Sequence, residues 1–235
     1  MKKLVISDWF GTIDLSWHIF DESYRMTVEE LFGVEGSMRD DPNYFASTNT
    51  DVVSEIARRR GIPEEEISSK KDLILSAYQN NFLNVLGQDK LHILPGARGL
   101  FYGLKRNRVP LTLISGESKA TLDALVRKAG LDIYFPEDMR SYGDEARDRI
   151  ELLKLAIERA ENKHGQFPKD GIYLLDDSAR GLSAGNSLGI RTIGVASGPT
   201  KYEEVASSNP AHLFEDLGNH RYREVLKIIF GNSQV

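Results

Sequence analysis

Three carboxylates and a hydroxyl stand at the ends of short apolar runs in this sequence. Asp8 and Ser115 each end one run, and Asp176 and Asp177 end another. If the runs are parallel strands of one sheet, and if the order of the strands brings them together, these side chains converge on a crevice at its carboxyl edge. Three unpaired acids so close together would repel, and one would take up a proton. A hard divalent cation removes that conflict, and Mg²⁺ prefers a few carboxylates together with waters and substrate phosphate.

A purely structural role is open for any one of these residues. Taken alone, Asp177 or Ser178 could simply cap the helix that follows it. The combination of Asp8, Ser115 and the adjacent pair of acids, each at the end of its own strand, favours a reactive site over a set of helix caps.

The apolar runs have the length and composition of buried parallel strands. They cover residues 4–6, 111–114, 172–175 and 191–195. Helical periodicity accompanies the last three, over residues 119–128, 148–161 and 182–188. This alternation predicts an α/β fold with a Rossmann-like, doubly wound parallel sheet.

About a hundred residues between the first two strands have a different character. They read as amphipathic helices at 17–31, 51–60, 63–85 and 96–106, of which the last returns to the sheet. A helical insertion directly after the strand that bears the candidate acid Asp8 suits a lid that excludes water. We therefore predict a core of residues 1–14 and 89–235 and a helical cap of residues 15–88. The aromatic residues expected in the core of the cap are Phe20, Tyr24, Tyr44 and Phe45.

Composition excludes several classes of protein. The chain has 235 residues, a net charge of -5, and no cysteine. The charge gives no electrostatic footprint for nucleic acid, and the lack of cysteine removes disulfides, thiol nucleophiles and thiolate metal sites. No run approaches the roughly 18 apolar residues of a membrane helix. The apolar run before Asp8 is too short for a signal peptide, so we expect a cytoplasmic protein that does not bind membranes. We expect it to be a monomer or a homodimer.

Three stretches resemble the first, second and fourth sequence motifs of the haloacid dehalogenase superfamily, in the family's order. They are DWFGTI, LTLISG and LLDDSARGLSAGNSLGIRTIGV. The resemblance covers nearly the whole chain. It is closest to the subgroup with a helical cap inserted after the first motif, which includes β-phosphoglucomutase, phosphoglycolate-type phosphatases and the haloacid dehalogenases themselves.

The resemblance implies a role for each matching residue. Asp8 would be the nucleophile that forms a covalent aspartyl intermediate, and Ser115 would hydrogen-bond the transferred group. Asp8, the backbone carbonyl of Phe10, Asp176 and Asp177 would hold Mg²⁺.

Three further residues are predicted to contribute to substrate binding. Thr12 would support the turn after the nucleophile, and Gly116 follows Ser115 at the end of the second strand. His18 comes just after the first motif, near the expected hinge of the lid, where it would touch substrate or replace a missing acid; the alternative is that it is structural.

The chain departs from the phosphatase pattern at Phe10. Phosphatases of this family usually carry an aspartate there, as acid to the leaving group and then base for water. Phenylalanine cannot transfer a proton, which removes a contribution of about 10² to 10⁴ in rate. Haloacid dehalogenases carry a tyrosine at this position and need neither this proton transfer nor a metal. The pair Asp176 and Asp177 points the other way, towards the Mg²⁺-dependent phosphotransferases.

The third motif of the family, normally a lysine, has no clear match. A cation is still required to stabilise charge on the transferred group. Arg149 is the first choice for it, and Arg147, Arg140, Lys154 and Lys119 are the alternatives.

Together these features predict an Mg²⁺-dependent phosphatase of a small phosphorylated metabolite, working through an aspartyl phosphate. Two alternatives are open: a metal-independent 2-haloacid dehalogenase, and a catalytically weak chain that binds a ligand or a protein partner.

Overall fold

A single parallel sheet forms the centre of the molecule. The structure is a computed structural model that describes residues 1–40 and 48–231. The strands are β1 (Leu4–Asp8), β2 (Leu111–Ile114), β3 (Arg140–Ser141), β4 (Ile172–Asp176), β5 (Arg191–Val195) and β6 (His212–Phe214). Their order across the sheet is β3-β2-β1-β4-β5-β6, and every pairing is parallel. The predicted Rossmann-like α/β class is confirmed.

Ten α-helices surround the sheet within the described part of the chain. They are α1 (Trp17–Phe32), α2 (Asn49–Arg59), α3 (Glu64–Ser69), α4 (Lys71–Gln88), α5 (Ala97–Arg106), α6 (Lys119–Ala129), α7 (Arg149–His164), α8 (Ala179–Leu188), α9 (Tyr202–Ser207) and α10 (Arg221–Phe230). Buried apolar side chains fill both sides of the sheet, in two clusters. None of these helices is both long and apolar enough to cross a membrane.

The main elements lie where the sequence predicts them, with two kinds of exception. All four predicted strands are present, but the short edge strands β3 and β6 and the helices α9 and α10 were not predicted. The helix predicted over residues 63–85 is wrong as one piece, because the chain breaks at Lys70 into α3 and α4. Directly before the break, the Ser69 hydroxyl donates to the Glu66 carbonyl at 2.7 Å, a local hydrogen bond that competes with those of a continuous helix.

The reversal of strand order lies at β1. The chain leaves β1 for β2 and β3 on one side and returns to β4, β5 and β6 on the other. Ser7 is in register with Leu175, so the next residues along the two strands, Asp8 and Asp176, end side by side. Ligands of open α/β sheets bind at this switch point, outside the carboxyl ends of the strands.

The inserted helices α1 to α4 pack on one another over an aromatic cluster. Phe20 packs edge-on against Phe82 at 5.4 Å, and Tyr24 stacks on Tyr78 with ring centroids 4.5 Å apart. Both Phe20 and Tyr24 are buried, as predicted. Tyr44 and Phe45, also predicted for this core, lie outside the described residues.

The two connections between the inserted helices and the sheet run side by side. Leu15 N donates to the His92 carbonyl at 2.9 Å, and Leu94 N donates to the Ile13 carbonyl at 2.8 Å. The buried Ser16 hydroxyl joins them, since it donates to Asp14 at 2.6 Å and accepts from His92 N at 2.6 Å. The insertion is therefore held to the sheet by a paired, hydrogen-bonded double connection.

Candidate active site

Three buried carboxylates meet at the switch point of the sheet. Asp8, at the end of β1, and Asp176 and Asp177, at the end of β4, each offer an oxygen, and these oxygens lie within 4.8 Å of one another. Adjacent residues on a strand point to opposite faces, but here the strand ends and the chain turns, so both acids of the pair reach the cluster. The sequence prediction that these three side chains converge agrees with this geometry.

Three glycines leave room for the carboxylates. A Cβ at Gly11 or at Gly198 would overlap the Asp177 carboxylate, and a Cβ at Gly181 would overlap that of Asp176. Gly11 also has a φ of +82°, a conformation that glycine adopts without strain. The turn after the first strand therefore needs glycine for two separate reasons.

Arg149 is the cation at this cluster. It begins α7, its Nη1 lies 3.1 Å from Asp8 Oδ1, and its side chain is 8% exposed. Asp148 caps the same helix, with its carboxylate accepting from the backbone N–H groups of Ile150 and Glu151 at 2.9 Å. Nε and Nη1 of Arg149 are both buried without a hydrogen-bond partner among the described residues, so the contact of Nη1 with Asp8 is an ion pair without hydrogen-bond geometry. The guanidinium thus has a donor left for an anionic group beside Asp8.

Two acids of the cluster, Asp8 and Asp177, hold their protons tightly. Burial raises the pKa of Asp8 to about 8, against the opposing pull of Arg149, and Asp176 raises it further. Burial and the charges of Asp8 and Asp176 also raise the pKa of Asp177 well above its usual value. One arginine is therefore not enough to keep all three acids ionised near neutral pH.

This residue set fits a hard divalent cation. The Asp176 Oδ1 atom accepts from the backbone N–H of Ser178 at 2.8 Å and from its hydroxyl at 2.7 Å, whereas Oδ2 is buried without a partner in the described structure. An orphaned carboxylate oxygen within a cluster of acids is what an oxygen-seeking cation such as Mg²⁺ would satisfy. Ser178 also caps α8 by accepting from Gly181 N at 3.0 Å, so its capping role and the site coexist.

Ser115 lies in a tightly folded loop after β2. Its hydroxyl oxygen accepts from Glu117 N at 3.1 Å, and its own N–H donates to the Ser141 carbonyl at 3.2 Å. A Cβ at Gly143 would overlap the carbonyl of Gly116, so the loop is packed directly on the chain that follows β3. Because the Ser115 oxygen already accepts a hydrogen bond, its hydroxyl proton is directed elsewhere and can be donated to a bound anion.

Phe10 and Thr12 flank the glycine of the turn. The Phe10 ring packs against Trp17 and Phe20, with centroids 5.6 Å and 4.7 Å apart, and so extends the aromatic cluster of the insertion. The Thr12 side chain is buried, and its hydroxyl has no hydrogen-bond partner among the described residues. The Phe10 side chain therefore contributes to apolar packing, whereas the Thr12 hydroxyl is still able to form a hydrogen bond.

The other candidate cations are engaged elsewhere or exposed. Arg140 is buried but pairs with Asp123 at 2.7 Å and with Asp132 at 3.0 Å. Lys119 pairs with Asp123 at 2.7 Å. Lys154 is exposed, and Arg147 is exposed at the rim of the cleft beside Arg149. Within the described chain, the ion pair to Asp8 comes from Arg149, the first choice made from sequence.

His18 occupies an unexpected position. Its side chain is 53% exposed, and its Nε2 lies 3.8 Å from Asp89 Oδ2, beside the connection back to the sheet. The described contacts do not join it to the carboxylate cluster. The hypothesis that His18 touches substrate or replaces the acid gains no support from this placement.

A small cleft opens beside Arg149, between α2 and the sheet. Its volume is about 30 Å³, and its lining includes Gly116, Thr48, Asp51 and Arg180.

Two residues near the site were not identified from the sequence. Arg180, in α8, was missed although it lies three residues after Asp177. Gly198 was also missed, yet it follows a predicted strand and could have been found by the same strand-end rule. Ser197 ties that loop to the turn after β1 by donating to the Gly11 carbonyl at 2.7 Å.

Residues 2–189 match the family described as haloacid dehalogenase-like hydrolase. The chain belongs to the haloacid dehalogenase-like hydrolases. The match extends from β1 through α8, so it includes the strand ends that carry Asp8, Ser115, Asp176 and Asp177. No curated protein sequence matches the chain.

Several solved structures share the fold over nearly the whole chain. β-Phosphoglucomutase from Clostridium difficile is 14% identical with a TM-score of 0.75, and the alignment covers 97% of both chains. CbbY from Rhodobacter sphaeroides, solved with xylulose-(1,5)bisphosphate, is 19% identical with a TM-score of 0.77, over 93% of this chain and 96% of that one. A hydrolase from Pseudomonas syringae is 15% identical with a TM-score of 0.74, over 96% and 99%.

Proposed function

We propose that this hydrolase is an Mg²⁺-dependent phosphatase of a small phosphorylated metabolite. The observation that carries the proposal is the cluster of Asp8, Asp176 and Asp177, with an unpartnered oxygen on Asp176 and a single arginine against Asp8. An excess of buried negative charge is destabilising unless a cation compensates it. We further propose that residues 15–88 form a cap over this site. Two of the similar structures, β-phosphoglucomutase and CbbY with a sugar bisphosphate, support a phosphorylated substrate.

The proposed cation would be held by Asp8, the Phe10 carbonyl, Asp176 and Asp177. When bound, it would neutralise charge on the phosphoryl oxygens and keep the nucleophile ionised. The Asp8 carboxylate attacks phosphorus in line, the bond to the leaving oxygen breaks, and an aspartyl phosphate forms. Arg149 and the Ser115 hydroxyl donate to the transferred oxygens. Water then attacks the phosphorus, the bond to Asp8 breaks, and inorganic phosphate leaves.

Phe10 limits which substrates this site can use. The residue cannot protonate the leaving oxygen, and its ring is held in the aromatic cluster. We therefore expect aryl or acyl phosphates, whose leaving groups need no proton, to be preferred over alkyl phosphates.

A substitution at position 10 tests this expectation. Phe10→Asp should raise the ratio of alkyl to aryl phosphate turnover by about 10² relative to Phe10→Ala, which removes the same ring without adding an acid. The measurement is kcat/KM for ethyl phosphate and p-nitrophenyl phosphate. Equal ratios in the two variants, or equal rates on both esters in the unmodified chain, would contradict the idea.

One assay separates the proposed function from its alternatives. Turnover of p-nitrophenyl phosphate and of 2-chloropropionate is measured with Mg²⁺ and with EDTA, for the unmodified chain, Asp8→Asn and the control Asp132→Asn. Phosphate release that disappears with EDTA and in Asp8→Asn, but persists in Asp132→Asn, supports the phosphatase. Halide release that EDTA does not affect supports a 2-haloacid dehalogenase, and inactivity on both substrates supports a binding protein.

A further inference from the structure

A buried carboxyl outside the acid cluster, that of Glu117, joins the inserted helices to the loop after β2. Its side chain is 5% exposed and lies two residues after Ser115, yet nothing in the proposed reaction uses it. Asn49 Nδ2 donates to Glu117 Oε1 at 2.8 Å, and the Tyr78 hydroxyl donates to the same oxygen at 3.2 Å. Asn49 begins α2 and Tyr78 lies in α4. The carboxyl of the core is therefore held by donors of the insertion.

The same contact extends along the backbone of the loop. Ser118 N donates to Asn49 Oδ1 at 3.2 Å, and Gln79 Nε2 donates to the Ser118 hydroxyl at 2.9 Å. Asn49 thus uses both ends of its amide on adjacent residues of the core, and it is 2% exposed. This is a specific docking contact between the insertion and the loop, since each donor and acceptor has a defined partner.

The docked residues are connected directly to Ser115. Glu117 N donates to the Ser115 hydroxyl oxygen, and the Glu117 carbonyl accepts from Gly143 N at 2.8 Å. Holding the Glu117 side chain therefore fixes the peptide that orients the Ser115 hydroxyl.

The described structure leaves little room for a substrate beside Asp8 and Arg149, so the position of the insertion bears on access to the site. Asp8 is 4% exposed, and the cleft beside Arg149 has a volume of about 30 Å³. That volume holds only about two or three waters.

We propose that Glu117 is a positioning residue, which couples docking of the inserted helices α2 and α4 to the loop that presents Ser115. Protonation of the Glu117 carboxyl strengthens the docking, and ionisation weakens it. The proposal concerns closure of the insertion, so it is tested without any substrate and stands or falls separately from the proposed phosphatase activity.

Burial gives this contact its pH dependence. It raises the pKa of Glu117 to about 7, and Asp144 raises it further, whereas Asn49, Tyr78 and Thr121 lower it. The two phenols at this contact, Tyr24 and Tyr78, have pKa values raised by burial and by Glu117, so they stay protonated. When the insertion undocks, water reaches the carboxyl and its pKa returns to its ordinary value. At any pH between the undocked and the docked pKa of Glu117, docking is therefore accompanied by uptake of a proton. The docked state becomes less stable as the pH rises through this range.

The amide of Ser118 reports on docking, because its hydrogen-bond acceptor belongs to the insertion. We expect its hydrogen-exchange protection factor in the unmodified chain to fall about tenfold between about pH 6 and pH 8. The Leu174 amide in β4 monitors opening of the sheet. Undocking is measured by the part of the decrease in the Ser118 protection factor that exceeds the decrease at Leu174. Equal falls at the two amides, or none at Ser118, would overturn the proposal.

Two variants separate the carboxyl from other groups that titrate. Glu117→Gln keeps the shape but cannot ionise, so the fall at Ser118 should disappear. The control is Glu30→Gln, because Glu30 accepts from Asn81 Nδ2 at 2.9 Å entirely within the insertion. That control should retain the full pH dependence. A fall that persists in Glu117→Gln, or disappears in Glu30→Gln, would show that Glu117 is not the responsible group.

A second pair of variants tests the docking contact itself. Asn49→Ala removes both hydrogen bonds to the core and should increase the radius of gyration in solution scattering at about pH 6, where docking is strongest. Asn81→Ala removes a comparable amide within the insertion and should leave the radius unchanged. Identical radii for the two variants, with both shown to be folded by thermal unfolding, would count against docking through Asn49.

Discussion

At the scale of single residues, the site depends on how Arg149 meets Asp8. The guanidinium is buried, lies 3.1 Å from the carboxylate, and has an unpartnered Nε. An ammonium group at this position would keep the charge but lose the planar fork that contacts a carboxylate and a phosphoryl group together.

We therefore expect Arg149→Lys to lower kcat/KM for p-nitrophenyl phosphate by about 10² to 10³, the effect of removing one preorganised donor. Arg106→Lys is the matched control, since Arg106 is an exposed arginine at the end of α5 that does not line the cleft beside Arg149. Its kcat/KM should stay within about twofold of the unmodified chain if Arg149 alone stabilises the transferred group. Comparable losses in the two variants would contradict this role for Arg149.

The turn glycine offers a sharper comparison. Gly11 and Gly61 have φ values of +82° and +83°, but a Cβ meets the Asp177 carboxylate only at Gly11 and open space at Gly61. Both Gly11→Ala and Gly61→Ala should lower the free energy of unfolding by about 1 to 2 kcal/mol through backbone strain. Only Gly11→Ala should also weaken Mg²⁺ binding, as measured by calorimetric titration. Equal Mg²⁺ affinities would show that the clash with Asp177 is relieved without disturbing the site.

At the scale of elements, the start of α7 places the only arginine that the described structure pairs with Asp8. Asp148 caps this helix with two backbone hydrogen bonds, and Arg149 is the first residue inside it. The cap therefore fixes the direction in which the arginine leaves the helix.

Asp148→Ala should lower the free energy of unfolding by about 1 kcal/mol, because two backbone N–H groups lose their acceptor. It should also lower kcat/KM, since the first turn of α7 no longer holds Arg149 in place. Asp148→Ser restores a capping oxygen and should recover most of both losses. Urea unfolding and aryl phosphate turnover check the pair, and a serine variant no better than alanine would argue against capping as the cause.

At the scale of the whole molecule, burial raises the pKa values of several carboxyl groups. Burial raises the pKa of Asp8 to about 8, of Glu117 to about 7 and of Asp14 to about 6. Each group has a higher pKa in the folded chain than in the unfolded chain. Its contribution to the stability of the fold is therefore complete at pH values below its pKa in the unfolded chain. That contribution is lost as the pH rises through its pKa in the folded chain.

The metal-free chain should accordingly become less stable between about pH 5 and pH 8. Mg²⁺ competes with protons for the carboxylates, so it should raise the midpoint of thermal unfolding more at the higher pH. Thermal unfolding with EDTA and with Mg²⁺ across this range checks both statements. A midpoint that rises with pH in EDTA, or a larger effect of Mg²⁺ at the lower pH, would contradict them.

The fold class and the convergence of the site follow from the amino-acid sequence alone. Buried parallel strands are marked by short apolar runs, and the carboxyl ends of neighbouring strands must lie at one edge of the sheet. These two rules bring Asp8, Asp176 and Asp177 to one edge of the sheet, and the adjacency of β1 and β4 in the structure then brings them together. The edge strands β3 and β6 have only 2 and 3 residues, too short for a periodic pattern to reveal them.

Tertiary packing sets which residues from distant parts of the chain meet. Arg149 and His18 were both candidates for the site from the sequence. Packing brings Arg149 into an ion pair with Asp8 but leaves His18 beside Asp89. It also joins Asn49 to Glu117 across 68 residues. Strand ends converge because the sheet's geometry is regular, whereas these contacts depend on how the inserted helices and α7 pack, and packing is a property of the whole chain.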